Sequence, residues 1–155
     1  LMAPIGQIWL LLGKALVGVL RGMVSSVAFL VMAAIMSPGL HIEPLFFISL
    51  LLCCLIFSFL GVLSALLART YDDMIAFSSI FIMPMAFLGG TFFSLTYLPS
   101  DLWYVIYLLP LTHASICLRS SLLGQTVPDA SLFALVAFLT LFSGASLLVL
   151  RRKDA

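Results

Sequence analysis

Apolar residues fill four long stretches of this chain that no Asp, Glu, Lys or Arg interrupts. They lie between Arg21 and Glu43, Glu43 and Arg69, Asp73 and Asp101, and Asp129 and Arg151. Each is at or above the ~20 residues a helix needs to cross a ~30 Å hydrocarbon core. The pattern predicts membrane-spanning helices at about 16–36, 45–67, 75–93 and 131–150. Helix is required because a lone strand would leave its backbone polar groups unpaired in lipid. Residues 1–13, with Trp9 suited to an interface, are expected to lie along the cytoplasmic membrane surface or to end an earlier span. Arg21, early in the first span, must snorkel to headgroups or face protein.

A fifth apolar stretch, LPSDLWYVIYLLPLTHASICLRSS over 98–121, carries Pro99, Asp101, Pro110, His113 and Arg119. Basic residues cluster at Lys14 and Arg21, at Arg69, and at Arg151, Arg152 and Lys153, whereas Glu43, Asp101 and Asp129 occupy the other connections. Placing the basic groups in the cytoplasm sends span one out, span two back, span three out and span four back. A crossing by 98–121 would break this parity. The segment is therefore expected to enter and leave on the external face, as a re-entrant pair of half-helices over 98–124. Pro99 and Asp101 suit a helix start. Pro110 removes a backbone donor and forces a break near Leu109, and a second half-helix runs from about Leu111 to Leu123 and stops at Gly124. The fold class is thus an all-α membrane protein of a single transmembrane domain: four spans, with a re-entrant pair between the last two.

Composition agrees with the pattern. Of 155 residues, 64% are hydrophobic and 8% are charged, against roughly 25% charged in soluble domains; mean hydropathy is +1.30. A net charge of +1 without a basic patch gives no nucleic-acid footprint. Cys53, Cys54 and Cys117 read as small hydrophobes rather than a disulfide framework. The opening Leu1-Met2 is expected to belong to a piece of a longer chain.

Candidate chemistry is sparse. Asp101 and Arg119 are ionisable groups near lipid depth; they form either a surface or headgroup pair or a structural clasp and polar lining. His113 and Cys117 share a helix face, but two groups do not make a zinc site. His113 is expected to make a polar contact at the membrane surface. His113 and Ser115 do not face one another on a helix, no G-x-S-x-G elbow occurs, and no phosphate-binding P-loop occurs. Neither a catalytic nor a cofactor site is therefore expected. Pro84 and Gly89-Gly90 either serve helix packing or loosen the outer half of span three. In ARTYDDM, Asp72 or Asp73 is expected to cap the following helix, or else to meet a basic partner.

In order along the chain, Pro84, Phe87, Leu88, Gly90, Phe93, Leu98-Pro99, Pro110-Leu111-Thr112-His113, Arg119 and Gly124 resemble the C-terminal signature of the ABC-2 type transporter permeases. The LLPLTH form is most similar to the branch of nodulation-factor and drug exporters. LLLGKALVGVLRGMVSS, with Gly13-Lys14 and Arg21-Gly22, resembles that family's entry to its third span. The resemblance implies six spans, of which these are the third to sixth. It implies a plasma-membrane exporter subunit for an amphipathic drug, lipid-linked or saccharide substrate, paired with a second permease copy. ATP would be bound by a separate ABC ATP-binding subunit, which Gln7, Lys14, Arg69, Asp72 and Asp73 would face. Pro99, Asp101, Pro110, His113 and Arg119 would shape an outer gate. A non-transporting anchor or assembly subunit is the alternative.

Overall fold

The computed structural model describes residues 7–36, 43–91 and 106–153. All the regular structure in them is helical: α1 (Gln7–Met36), α2 (Pro44–Leu67), a third rod from Tyr71 to Thr91, α5 (Pro110–Leu122) and α6 (Asp129–Lys153). The rod consists of α3 (Tyr71–Phe77), a π-helical segment (Ser78–Ile82), α4 (Met83–Ala86) and a second π-helical segment (Phe87–Thr91). Four of these helices are long and apolar enough to cross a membrane: Ile8–Met36, Pro44–Leu67, Tyr71–Gly89 and Asp129–Arg152.

The first helix differs from expectation. Residues 7–13 do not form a separate surface segment but continue directly into the span. The only helix-weakening residue there is Gly13, and one glycine costs about 1 kcal/mol without breaking a helix. The resulting 30-residue rod is about 45 Å long, more than the bilayer core requires.

α2 is the centre of the bundle. Gly18 and Gly22 of α1 lie against Ser58 and Cys54 of α2, and the Ser58 hydroxyl donates to the Ala15 carbonyl at 2.6 Å. Residue numbers rise along α1 as they fall along α2, so the two are antiparallel. On its other side α2 meets α6. Ile56 packs with Leu135, and further along Phe59 and Val62 pack with Leu147 and Leu150. Here numbers rise together, so α2 and α6 run parallel. This topology gathers Lys14, Arg69, Arg151 and Arg152 at one end of the bundle, hereafter the basic end, with Glu43 and Asp129 at the far end.

α5 packs on both central helices: Ala114 and Cys117 join Ile56 and Leu135 in one buried cluster. At 13 residues α5 is about 20 Å long, too short to cross. The Tyr71–Thr91 rod touches the rest chiefly at its two ends, near α2 and at α5. Ile75, Ile80, Phe81, Met83 and Phe87 along it are exposed.

Candidate functional site

The third rod and α5 meet at a joint built around two prolines. Pro84 has no N–H to donate one turn back, and its ring crowds the carbonyl there. The chain answers by widening into π-helical turns on both sides, Ser78–Ile82 and Phe87–Thr91. Such bulges open the hydrogen-bond ladder and occur often at functional sites. The expectation of a loosened span thus takes a specific form.

Within the second widened segment, Gly89 lies flat against Leu111. A Cβ built at Gly89 would stand 2.9–3.1 Å from three side-chain carbons of Leu111, inside the ordinary ~3.5–4.0 Å contact. The Ser115 hydroxyl, 2.8 Å from the Gly89 carbonyl, is shared with the Thr112 carbonyl at 2.9 Å. A glycine that removes bulk and a serine that takes up the exposed carbonyl fasten the two elements together.

Pro110, buried at the first position of α5, breaks the backbone as expected: Leu109 is extended, with φ −91° and ψ 127°. The break leaves two carbonyls without the partners a continuous helix would supply. Ile106 would have been served by the N–H that Pro110 lacks, and Tyr107 by Leu111. The next two side chains stand in. The Thr112 hydroxyl donates to the Ile106 carbonyl at 2.7 Å, where the Leu109 N–H also donates at 3.1 Å. His113 Nε2 lies 2.9 Å from the Tyr107 carbonyl, which assigns its proton to Nε2. His113 is buried between Tyr107 and Phe138. Its Nδ1 has no hydrogen-bond partner among the described residues. Along this run Pro110 breaks the helix, Leu111 docks on Gly89, and Thr112 and His113 stitch the break closed.

α5 ends as the sequence indicates. Gly124 has φ +64°, and the Gln125 N–H donates to the Ser120 carbonyl at 2.9 Å, the Schellman closure that only glycine adopts easily. Arg119 is exposed in the last turn, where a cation suits the helix dipole. Pro99, Asp101 and the first expected half-helix up to residue 105 fall outside the described residues, and so does any Asp101–Arg119 clasp.

The remaining candidates lie at the basic end. Gln7 opens α1, and Lys14 follows two turns later on the face turned to α2. Asp73 does cap α3, but together with Thr70, which the sequence pattern alone had not singled out. Thr70 is the N-cap, accepting from the Asp73 N–H at 3.3 Å, while Asp73 Oδ2 accepts from the Thr70 and Arg69 N–H groups at 3.0 and 2.9 Å. The Thr-x-x-Asp spacing is a variant of the capping box and is the signal that would have revealed it. Asp72 and Arg69 are exposed beside it. The described candidates thus separate into two groups, Gln7, Lys14, Arg69, Asp72 and Asp73 toward the basic end and Pro110, His113 and Arg119 on α5. No cluster of three or more metal-binding side chains occurs among the described residues.

The ABC-2 type transporter family matches residues 1–123. Nodulation protein J of Neorhizobium galegae is 36% identical over 101 residues, covering 64% of this chain and 38% of that protein. The inner membrane transport permease YadH of Escherichia coli K12 is 29% identical over 145 residues, covering 92% of this chain and 57% of YadH. The chain thus spans 38% to 57% of the length of these relatives. No solved structure matches significantly.

Proposed function

The chain belongs to the ABC-2 type transporter family, and on that premise we propose that it is the membrane-spanning part of an ATP-driven exporter. ATP is bound and hydrolysed by a separate ABC subunit, and the cargo is an amphipathic drug, lipid-linked molecule or saccharide. The observation that carries this reading is the joint of Gly89, Leu111 and Ser115. It fastens a span with an opened backbone to a broken half-helix, so that movement of one must displace the other.

The positive-inside rule puts the basic end in the cytoplasm, and YadH's description as an inner membrane permease favours that membrane here. Gln7, Arg69, Asp72 and Asp73 then face the ATP-binding subunit, while Lys14 turns toward α2. α5, with Pro110, His113 and Arg119, lies at the outer mouth. Parallel α2 and α6 support a re-entrant connection, since one crossing by the third rod leaves residues 92–128 beginning and ending on one side. Two copies pair across the membrane; the exposed apolar flank of the third rod is suited to that contact.

Reconstitution of the full-length permease with its ATP-binding subunit in vesicles tests the function: ATP-dependent efflux of an amphipathic dye is expected. ATP hydrolysis by the permease alone would contradict it. Sidedness has its own test. In a background lacking Cys53, Cys54 and Cys117, a cysteine at Ser120 should react with an impermeant thiol reagent on intact cells. Reaction only after permeabilisation would overturn the external placement.

A further inference from the structure

Away from the joint, a partly open cavity of about 680 Å³ lies between α1 and α2, with Leu118 of α5 and Leu150 of α6 also against it. Small residues make it: Gly18 and Gly22 let α1 approach Ser58 and Cys54, and a Cβ built at Gly61 meets nothing within 4 Å. The trench follows α2 from Leu50 to Leu66, a rise of about 24 Å. Phe57 and Leu118 stand in its wall. Lys14 and Arg21, two turns apart on one face of α1, both line it, Lys14 toward the basic end and Arg21 level with the middle of α2 beside the Gly22–Cys54 contact; among the described residues no acidic one does.

Depth makes the charges informative. From Gly22 to Met36 the helix rises only about 21 Å, less than a ~30 Å core. This puts Arg21 inside the hydrocarbon, roughly 8 Å or one and a half turns below the boundary. A cation there needs an anion or a route to headgroups. Neither Lys14 nor Arg21 makes a salt bridge to an acid among the described residues; the nearby Ser58 hydroxyl is committed to Ala15.

We propose that this trench is a binding site for one anionic phospholipid. Its phosphate is held by Arg21 and Lys14, and an acyl chain lies along Phe57 toward Leu50. A guanidinium pairs with phosphate through two parallel hydrogen bonds, and an ammonium adds a point charge. Basic pockets between membrane helices near the cytoplasmic surface recognise anionic headgroups in this way. The site goes beyond the transport reading and does not depend on it. A permease that retains the lipid but exports nothing would leave it standing.

The test uses the full-length permease in nanodiscs of equimolar phosphatidylglycerol and phosphatidylethanolamine, with retained lipid counted by native mass spectrometry. The parent should hold phosphatidylglycerol over phosphatidylethanolamine by about tenfold or more, the scale of a charged hydrogen bond. Lys14→Gln with Arg21→Gln should lose that preference. Gly61→Leu, which adds its side chain to open space rather than to a helix contact, should lose both lipids while eluting as the parent does. Equal retention of the two lipids by the parent, undiminished preference in the double variant, or no lipid at all because another part of the longer chain fills the trench would each overturn the proposal.

Discussion

Replacing Gly89 by Val tests whether the third rod and α5 are fastened where the structure shows. The new Cβ arrives 2.9–3.1 Å from Cδ2, Cγ and Cβ of Leu111. Turning the Leu111 side chain clears the two outer atoms but not its Cβ, so the backbones must separate by roughly 0.5 Å to restore ordinary contact. Overpacking of this kind costs about 1–3 kcal/mol. The Ser115 bond adds little, because membrane hydrogen bonds average about 0.6 kcal/mol and Thr112 offers the same hydroxyl a second acceptor. Helix propensity nearly cancels, since Val is only slightly better than Gly. The expected loss is about 2 kcal/mol, or roughly thirtyfold in the folding equilibrium. Unfolding of the full-length permease in mixed micelles against rising mole fraction of SDS measures it. The decisive comparison is a double-mutant cycle with Leu111→Ala, which removes the atoms at 2.9 and 3.0 Å and leaves only Cβ at 3.1 Å. The double variant should be less destabilised than the sum of the singles by about 1 kcal/mol. Additivity within about 0.5 kcal/mol, or a Gly89→Val protein as stable as the parent, would refute the reasoning.

Thr112→Val should cost about 1 kcal/mol, the low end for a buried acceptor losing a partner, because the Leu109 N–H still serves the Ile106 carbonyl; Thr112→Ser should restore most of it in the same assay. Thr70→Ala removes the cap of α3 and should cost about 1 kcal/mol. Hydrogen exchange over 71–77 should quicken about fivefold, and unchanged exchange would mean that the cap contributes nothing.

What the sequence discloses and what it hides divide along physical lines. The four spans were legible because a charge inside hydrocarbon is penalised wherever it falls, so the gaps between charges mark the helices with no tertiary knowledge. Pro110 and Gly124 were legible because their constraints are carried by single residues. The start of α1 was not: Gly13-Lys14 looks like a boundary, but neither residue stops a helix. Pro84 announced a disturbance, while the form it takes, π-helical turns on both sides, depends on how neighbouring turns share the strain. The stitches from Thr112 and His113 become visible only once the break orphans the Ile106 and Tyr107 carbonyls. The trench needs the register of α1 on α2, which no local pattern encodes.

The parallel pairing of α2 with α6 bears on how the protein is made. α2 ends at Leu67 and its main partner closes at Lys153, so ribosomes must add roughly 90 residues, on the order of 5–20 s of synthesis, before the pair can form. During that interval the face of α2 bearing Ser49 and Ile56, buried in the finished bundle, lacks α6 beside it. Biogenesis therefore passes through a half-built bundle whose central helix waits for a partner from the far end of the chain. Mutations that weaken the α2–α6 contact should lower the yield of inserted protein before they alter the behaviour of the molecules that mature.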